Sequence, residues 1–483
     1  MRKPWILALA CLAQFMVILD VSVVNVALPS IRDDLHFSAV NLQWIVNAYT
    51  LTFGGFLLLG GRAADLLGRR RVFIAGLVGF AAASLVGGLS TSQNMLIGAR
   101  AVQGLGGAVV APATLAIITT TFDEGYERSR ALAAWGAMGA VGGSTGVLLG
   151  GVITELLGWQ WILFINVPVG LVGALGALRF IPESTRTDVG ERHYDIAGAL
   201  SVTAGLVLLT YAIVRTDVNG WGSAETLLIG GAGLALLGVF IAIERRARWP
   251  LMPLRIFASR TLTAANLVIF TLGASAFAMW YFVSLYLQQV LDFTPIEAGL
   301  SFLPMTGAII VASTIAGRLA PRLGPGRVLA VGMGVIGLGM LLFTGLSADG
   351  SYLGDVLAPG VITTTGIGLA FVPTTIAAMA GVERSDAGLA SGLVNTSRQV
   401  GGSLGLAILA TLATQHTQDV AHGAVTASAV TAGFHRAFLV GAFFAFAGAV
   451  IAAALLIRVR PPRPPAAPVA ATAGSGARIS SER

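Results

Sequence analysis

The sequence is poor in charge, in cysteine and in metal-ligand patterns. Only 11% of its 483 residues are charged, whereas soluble domains average about 25%, so a water-soluble globule is excluded. The single cysteine, Cys11, excludes an intrachain disulfide and indicates no zinc site or iron–sulfur cluster. The histidines are scattered and form no metal site: His36, His193, His416, His422 and His435. We therefore expect no metal and no cofactor.

A nucleotide-binding loop and a sizeable soluble domain are also missing. No G-x-x-x-x-G-K-[ST] segment occurs, and the only lysine is Lys3, which argues against ATP-driven transport by this chain alone. The net charge is +7, but the basic residues lie at the ends of apolar runs rather than on one face or arm. This distribution argues against nucleic acid as a partner. No catalytic constellation is visible, so we expect no enzyme.

Long apolar runs dominate what is present. The chain is 55% hydrophobic with a mean hydropathy of +0.81, and about 20 apolar residues suffice for a helix to cross a bilayer. Fourteen spans are predicted: 5–29, 41–60, 72–90, 94–118, 130–153, 161–181, 196–214, 226–243, 261–289, 296–316, 327–347, 355–380, 388–412 and 434–457. The first run is too long for a signal peptide and is interpreted as an uncleaved helix.

The basic residues predict the orientation. With the N-terminus in the cytoplasm, 25 of the 30 Lys and Arg residues fall in cytoplasmic segments, 3 in outer segments and 2 inside spans. Cytoplasmic loops carry such an excess of basic residues. Both termini are therefore expected in the cytoplasm.

An internal repeat divides the chain. "GRAADLLGRRRV" begins at Gly61 and "GRLAPRLGPGRV" at Gly317, an offset of 256. The same offset maps the fifth-span glycines 136, 139, 143 and 146 onto positions 392, 395, 399 and 402. Duplicated halves are typical of transporters whose substrate site lies between them.

The repeat predicts four regions in an all-α integral membrane protein. They are an N-terminal six-helix bundle (1–190), two inserted helices with linkers (191–260), a C-terminal six-helix bundle (261–457) and a tail (458–483). The tail is rich in Pro and then in Ala, Gly and Ser, so it is expected to be disordered.

One acidic residue lies in the central part of a span. Asp20 stands in "FMVILDVSVVNVALP" (15–29), 15 residues after Trp5, which is about 22 Å along a helix. A carboxylate at this depth pairs, takes a proton or faces a wet cavity. Alternating protonation would serve proton coupling. The alternative is a structural role, in which Asp20 makes polar contacts between helices and never changes its charge.

Arg100 is a second charge inside a span. Gln103 and Gly107 follow it by three and seven residues and share its helical face, and glycine leaves space beside the guanidinium. If Arg100 approaches Asp20, it favours the ionised carboxylate and the release of its proton. A static salt bridge between the first and fourth spans is the alternative.

The fifth span carries a stripe of small residues. Gly136, Gly139, Gly143, Gly146 and Gly150 are spaced three and four residues apart. Close helix packing explains such a stripe, and a hinge is the alternative reading.

Further polar and aromatic residues are candidates for a substrate cavity. Asn395, Gln399 and Gly402 form a polar stripe beside Arg398, which either lines a cavity or joins helices. Aromatic residues of the ninth span either pack helices or stack on an amphiphilic substrate. The candidates are Asn25, Gln103, Trp280, Tyr281, Asn395, Arg398 and Gln399.

The loop "GRAADLLGRRR" is either a basic anchor or a gating latch on the cytoplasmic face. Gly61 and Gly68 permit a tight turn, and Asp65 can pair with an arginine or cap a helix. The proposed latch residues are Gly61, Asp65, Gly68, Arg69 and Arg70. The second copy has Pro321 in place of Asp65, so it lacks the carboxylate.

These motifs resemble the fourteen-span drug:proton antiporter branch of the major facilitator superfamily. The loop at Gly61 resembles the superfamily's signature loop. "LDVSVVNVALP" (19–29), "RAVQGLGGAVVAPA" (100–113), "GWQWILFINVPVG" (158–170), "YLQQVLDFTPIEAGL" (286–300) and "SGLVNTSRQVGGSLG" (391–405) resemble the branch. The resemblance covers essentially residues 1–457. It implies two six-helix bundles plus two inserted central helices, with Asp20 in proton coupling and Arg100 assisting proton movement.

One departure concerns the branch's Gly-Pro-x-x-Gly-Gly segment. This chain reads "GVLLGG" (146–151), with Val147 in place of proline. The kink that proline would cause is therefore expected to be weakened or absent, which leaves the direction of transport open.

The expected function is proton-coupled export of small hydrophobic or amphiphilic compounds by alternating access, in a bacterial inner or plasma membrane. Because spans 9–14 hold no mid-span acid, the expected substrates are monocationic, zwitterionic or neutral. The partners are the substrate, protons and the bilayer, and a monomer is expected. The alternatives are a narrow exporter of one antibiotic or metabolite, and a facilitator or importer. A membrane enzyme or receptor would need features that the sequence lacks.

Overall fold

A computed structural model of the chain describes residues 3–123, 126–183, 195–248, 250–380, 387–421 and 425–457. The predicted tail, 458–483, lies outside the described residues. Every regular element in the described ranges is helical. This agrees with the predicted all-α class and follows from the membrane, where a helix satisfies all its backbone hydrogen bonds within one segment.

The α-helices are α1 (Lys3–Leu35), α2 (Ala39–Leu42), α3 (Trp44–Leu67), α4 (Arg69–Gly88), α5 (Gln93–Thr121), α6 (Tyr126–Leu157), α7 (Trp161–Phe164), α8 (Asn166–Phe180), α9 (Ile196–Asn219), α10 (Ala224–Arg246), α11 (Arg260–Gln289), α12 (Pro295–Ser301), α13 (Leu303–Leu323), α14 (Pro325–Leu342), α15 (Leu357–Met379), α16 (Ala387–Ala421) and α17 (Ala427–Ile451). Short 3₁₀ or π turns cover Leu254–Ala258, Phe343–Gly345, Tyr352–Val356 and Ala452–Leu456.

Fourteen long helical segments match the fourteen predicted spans. Thirteen of them are long and apolar enough to cross a membrane, with α2–α3, α7–α8 and α12–α13 each serving as one segment. The fourteenth is α16, which contains the predicted span 388–412. The fold class is therefore confirmed.

The first helix continues beyond its predicted end. The sequence places the end of the first span at Pro29, but α1 runs through this proline to Leu35. Proline has no N–H and leaves the carbonyl four residues earlier without its helical donor. That carbonyl belongs to Asn25, and it accepts a hydrogen bond from Ser284 Oγ of α11 at 2.7 Å. A tertiary contact thus replaces the bond that proline removes.

The two halves repeat one packing scheme. In the first half α1 packs on α6, and α5 packs on both α3 and α4. In the second half α11 packs on α16, and α15 packs on both α13 and α14. Gly68 (φ 99°, ψ 127°) separates α3 from α4, and Gly324 (φ 90°, ψ 138°) separates α13 from α14. These turns are 256 residues apart, and both use a backbone region that favours glycine.

The two inserted helices pack at the edge of this arrangement. α9 and α10 pack on each other, and α9 also contacts α3 and α16. Gln415 of α16 donates to the Thr216 carbonyl of α9 at 3.1 Å. α9 therefore covers the seam between the two halves on that side.

The halves meet at the ends of helices opposite the Gly68 and Gly324 turns. Gln288 of α11 donates to the Val26 carbonyl of α1 at 2.9 Å. Glu155 of α6 accepts from the Ile296 amide of α12 at 2.9 Å. Along the seam, Ser403 Oγ of α16 donates to Asn47 Oδ1 of α3 at 2.9 Å. Polar contacts therefore join the halves in this conformation.

Candidate functional site

The Asp20 carboxylate lies in the interior of the first half. Its side chain is 0% exposed, and that of its partner Arg100 is 2% exposed. Arg100 Nη1 of α5 lies 2.5 Å from Asp20 Oδ2, and Arg100 Nε donates to the Ile45 carbonyl at 3.0 Å. The two intramembrane charges singled out in the first half thus form a direct ion pair.

Two amide side chains complete the carboxylate's shell. Gln103 Nε2 of α5 and Asn166 Nδ2 of α8 both donate to Asp20 Oδ1, at 3.1 and 2.9 Å. Gln103 Nε2 also donates to Ser84 Oγ of α4 at 2.7 Å, and its Oε1 accepts from Arg100 at 2.9 Å. We call Asp20, Ser84, Arg100, Gln103 and Asn166 the Asp20 cluster. It joins α1, α4, α5 and α8.

An aromatic ring covers the guanidinium. The Tyr49 ring of α3 lies 4.6 Å from Arg100 Cζ, a cation–π distance. The sequence predicts open space beside Gly107, but a Cβ at this position would lie 3.0 Å from the Tyr49 hydroxyl oxygen. The space that the glycine provides is therefore occupied by Phe53, whose Cδ2 would lie 2.9 Å from that Cβ, and by Tyr49. Its hydroxyl and Asn166 Oδ1 are buried and have no hydrogen-bond partner within the described ranges.

With Asp20 ionised, the charges of Asp20 and Arg100 cancel within the cluster. A buried ion pair is stable only when further hydrogen bonds satisfy the remaining polar atoms, and three donors serve this carboxylate. Adding a proton to Asp20 would remove the negative charge and leave Arg100 as an uncompensated cation.

The glycine stripe of α6 holds the helix that carries Asp20. A Cβ at Gly146 would lie 2.7 Å from Ser22 Cβ, and one at Gly150 would lie 2.9 Å from Val23 Cα. Gly143 is farther away, with Ser22 Oγ at 4.0 Å. Gly139 lies in the same helix, but its surroundings are outside the described part. α6 runs without interruption from Tyr126 to Leu157, with Val147 inside it.

Gln103 takes a different place from the one expected. The sequence groups it with the substrate-cavity candidates, whereas its side chain is fully buried and bound to Asp20 and Ser84. The reason is its spacing: three residues after Arg100, it extends from the same helical face toward the same carboxylate.

The other first-half and ninth-span candidates lie near the junction of the halves. Asn25 is half-buried, donates to the Val21 carbonyl of its own helix at 3.3 Å and touches α11 through its carbonyl. Trp280 is half-buried and packs on Phe302 with ring centroids 5.1 Å apart. Tyr281 is buried in the apolar core and packs edge-on against Phe282.

The candidates on α16 point to different neighbours. Gln399 is buried, and its Cβ lies 3.0 Å from where a Cβ of Gly54 in α3 would stand. Arg398 is partly exposed and donates through Nη2 to Asn395 Oδ1 at 2.9 Å. Its Cζ lies 5.3 Å from the centre of the Phe371 ring of α15. The polar stripe therefore both joins helices and leaves a cation partly accessible.

Two arginines that follow the turn between α3 and α4 make charged contacts inside the first half. Arg70 Nη2 lies 2.9 Å from Glu183 Oε2, and Arg71 Nε lies 3.6 Å from the same atom. Gly61 faces Pro112 of α5, with its Cβ position 3.5 Å from Pro112 Cβ. Arg69 begins α4. The Asp65 side chain is outside the described part, so its predicted contact is not addressed.

The start of α1 is tied to the loop before α6. Lys3 Nζ lies 3.1 Å from Asp123 Oδ2 and 2.8 Å from Glu127 Oε2. The hydrogen bond from Lys3 lowers the pKa of the Asp123 carboxyl below its ordinary value. Asp123 is exposed, so water screens this contact and its contribution to stability is small.

Sequence reasoning missed four residues that contact the predicted ones. Asn166 stands in the quoted segment "GWQWILFINVPVG", where a polar residue within an apolar run was the available signal. Ser84, Tyr49 and Glu183 had no comparable signal. Serine and tyrosine are common in helices, and the partner of Glu183 is 113 residues away.

Comparisons with known proteins agree with this architecture. The sequence matches the Major Facilitator Superfamily over residues 10–406. It is 44% identical over 411 residues to a cephamycin export protein of Amycolatopsis lactamdurans, covering 84% of each chain. It is 39% identical over 439 residues to a puromycin resistance protein of Streptomyces alboniger, covering 90% of this chain and 87% of that one.

A solved structure has the same fold. It is a bacterial homologue of the human lysosomal transporter Spinster, in an inward-facing and occupied conformation, with a TM-score of 0.69 and 16% identity. The match covers 96% of this chain and 99% of that one. The curated relatives are exporters and resistance proteins of bacteria, and the chain is a multi-pass membrane protein that belongs to the major facilitator superfamily of transporters.

Proposed function

We propose that the protein is a proton-coupled exporter of small lipophilic compounds, in which Asp20 carries the proton. The observation that supports this most is the full burial of Asp20 as an ion pair with Arg100. Intramembrane ionisable residues mark ion pathways and proton relays. A carboxylate that serves only to hold helices together is the simpler alternative, and the experiment below separates the two.

Protonation would loosen the contact between α1 and α5. A neutral Asp20 no longer attracts Arg100, which keeps its contacts with the Ile45 carbonyl and the Tyr49 ring of α3. α1 also carries the Asn25 and Val26 contacts with α11 of the other half. A change at Asp20 is therefore transmitted along one helix to the junction of the halves. Such a bistable element is what alternating access requires.

The relatives support export rather than import. The cephamycin protein is named for export, and the puromycin and lincomycin proteins are named for resistance. We propose that protons enter as the compound leaves, with both termini in the cytoplasm of a bacterial plasma membrane. The protein acts as a monomer on monocationic, zwitterionic or neutral compounds, and it catalyses no chemical reaction.

A narrow exporter of one antibiotic or metabolite is the second candidate. The observation that favours it is that several relatives are named for a single compound. A susceptibility panel in a host stripped of its own pumps separates the two. Resistance to many unrelated compounds indicates broad efflux, and resistance to one chemical class indicates the narrow exporter.

The loop residues Gly61, Asp65, Gly68, Arg69 and Arg70 are proposed as the gating latch. The Arg70–Glu183 ion pair ties the start of α4 to the end of α8 within the first half. This pair would keep the loop rigid while the halves move, so that the turn at Gly68 acts as one unit with the first bundle.

Transport in everted membrane vesicles tests the role of Asp20. An imposed pH gradient, acid inside, should drive dye uptake by the wild type, and Asp20→Asn should abolish this uptake. Substrate exchange without a gradient should persist in the variant, because the cavity is intact. The matched control is Asp33→Asn, an exposed acid at the end of the same helix. Undiminished gradient-driven uptake by Asp20→Asn would refute the proposal.

A further inference from the structure

Arg398 is an unbalanced charge in the membrane interior. It lies 11 residues after the start of α16 at Ala387, about 16 Å along the helix. Arg100 is neutralised by Asp20, but within the described ranges no carboxylate lies within salt-bridge distance of Arg398. Its polar partner there is the neutral Asn395 side chain, at 2.9 Å. A charged side chain at such a depth pairs or faces a water-filled cavity.

The neighbours of Arg398 show which way it faces. The preceding residues bind flanking helices: Thr396 Oγ1 donates to the Gly54 carbonyl of α3 at 3.1 Å, and Ser397 Oγ donates to Asn266 of α11 at 2.9 Å. Thr411, which faces α9, is 13 residues later, about 140° around the helix axis. Gln399, about 100° around the axis on the other side from Ser397, meets Gly54 of α3. Arg398 therefore lies between α11 and α3, which belong to opposite halves, and away from the inserted helix α9.

The space beside Arg398 is accessible. The Phe371 ring, 5.3 Å from Arg398 Cζ, belongs to a side chain that is 45% exposed, and Arg398 is itself partly exposed. A guanidinium has five N–H donors, of which Nη2 serves Asn395. An apolar ring beside a donor group suits a compound that has an aromatic body and a small polar group.

We propose that Arg398 binds a carboxylate of the transported compound. The planar guanidinium can donate two parallel hydrogen bonds to the two carboxylate oxygens. The bound anion also balances the positive charge of Arg398 in a low-dielectric site. This inference rests on the proposed export function and revises its substrate range, because it adds anions and disfavours monocations. Zwitterions and anions fit the site, whereas a purely cationic compound is repelled by Arg398.

Binding of a matched ligand pair tests this. Rhodamine B carries a carboxylate, and its ethyl ester differs by masking that group. Fluorescence anisotropy with the purified full chain in detergent should show tighter binding of the acid to the wild type. Arg398→Gln should weaken acid binding on the order of tenfold to a hundredfold, and it should not weaken binding of the ester, a cation that Arg398 repels. Arg398→Lys should retain part of the preference for the acid, because lysine keeps the positive charge but lacks the two parallel N–H donors of the guanidinium.

The controls separate this inference from proton coupling. Arg436→Gln removes an exposed arginine of α17 in the same half and should keep the acid preference. Binding is measured without a pH gradient, so a failure of this inference is distinguishable from a failure of proton coupling, which only the gradient-driven assay reports. Equal loss of acid and ester binding in Arg398→Gln, or equal binding of both to the wild type, overturns the proposal. If Arg398→Gln does not give a monodisperse protein, the wild-type preference alone decides.

Discussion

At the scale of single residues, three charges in the membrane interior have two different environments. Asp20 and Arg100 are closed off and bound by amide side chains, whereas Arg398 is partly exposed with one neutral polar partner within the described ranges. In the first arrangement three donors bind the carboxylate, and in the proposed mechanism Asp20 is the group that changes charge. The second suits a fixed charge that a ligand neutralises.

Removing Arg100 alone should cost more stability than removing it together with Asp20. Arg100→Gln leaves a buried carboxylate without its counter-ion, which typically costs about 3–5 kcal/mol. The double variant Asp20→Asn with Arg100→Gln leaves no charge and should recover much of this loss. Thermal unfolding of the purified proteins measures both.

Arg436→Gln, at an exposed position of α17, is the control and should unfold like the wild type. Additive losses in the double variant would mean that the two side chains do not depend on each other. That result would contradict the buried ion pair.

Much of this residue-level picture follows from the sequence, and part of it does not. The depth of Asp20 and Arg100 in their helices is a matter of counting, so both were predicted as functional candidates. Asn166 of α8 donates to Asp20, and Ser84 of α4 accepts from Gln103, which itself donates to Asp20. Their role depends on distances across 64 and 146 residues of chain, which no local pattern encodes.

At the scale of elements, the packing of α1 on α6 positions the Asp20 side chain. Gly146 and Gly150 bring the α6 backbone against Leu19, Ser22 and Val23, the residues around Asp20. In the second half Gly402 and Gly405 bring α16 against Phe277 and Ala274 of α11. Small side chains let the helix backbones approach closely. Because lipid supplies no hydrophobic driving force between helices, this close packing is what holds them together.

Gly150→Val should disrupt this packing. The added Cβ would lie 2.9 Å from both Val23 Cα and the Val23 carbonyl, and backbone cannot move aside cheaply. Overpacking of this kind costs about 1–3 kcal/mol. Thermal unfolding and the yield of monodisperse protein measure the effect.

Gly136→Val is the matched control on the same helix, because no atom lies within 4 Å of its Cβ position. It should behave like the wild type. Equal losses in both variants would indicate that helix propensity, rather than packing on α1, explains the glycines.

At the scale of the whole molecule, the two bundles meet through backbone groups of α1 and α12. Proline at 29 frees the Asn25 carbonyl for Ser284, and Glu155 accepts from the Ile296 amide. These contacts lie at the helix ends opposite the Gly68 and Gly324 turns. A rocking motion of one bundle against the other would separate them first.

The distribution of basic residues predicts that both termini are in the cytoplasm. A green fluorescent protein fused after Arg483 should fluoresce, and alkaline phosphatase at the same site should be inactive. Alkaline phosphatase inserted after Gly220, between α9 and α10, should be active. An active phosphatase at the C-terminus would reverse the orientation and the proposed direction of transport.

The sequence by itself determined the fourteen helices, the 256-residue repeat and the depth of Asp20, Arg100 and Arg398, because hydropathy and helix geometry are local properties. Only the tertiary structure decided that Gln103 and Asn166 bind Asp20, that Phe53 and Tyr49 fill the space at Gly107 and that α1 continues through Pro29. Each of these depends on a donor, a ring or an acceptor from a helix distant in the chain. The pairing of such groups is determined by how the bundles pack.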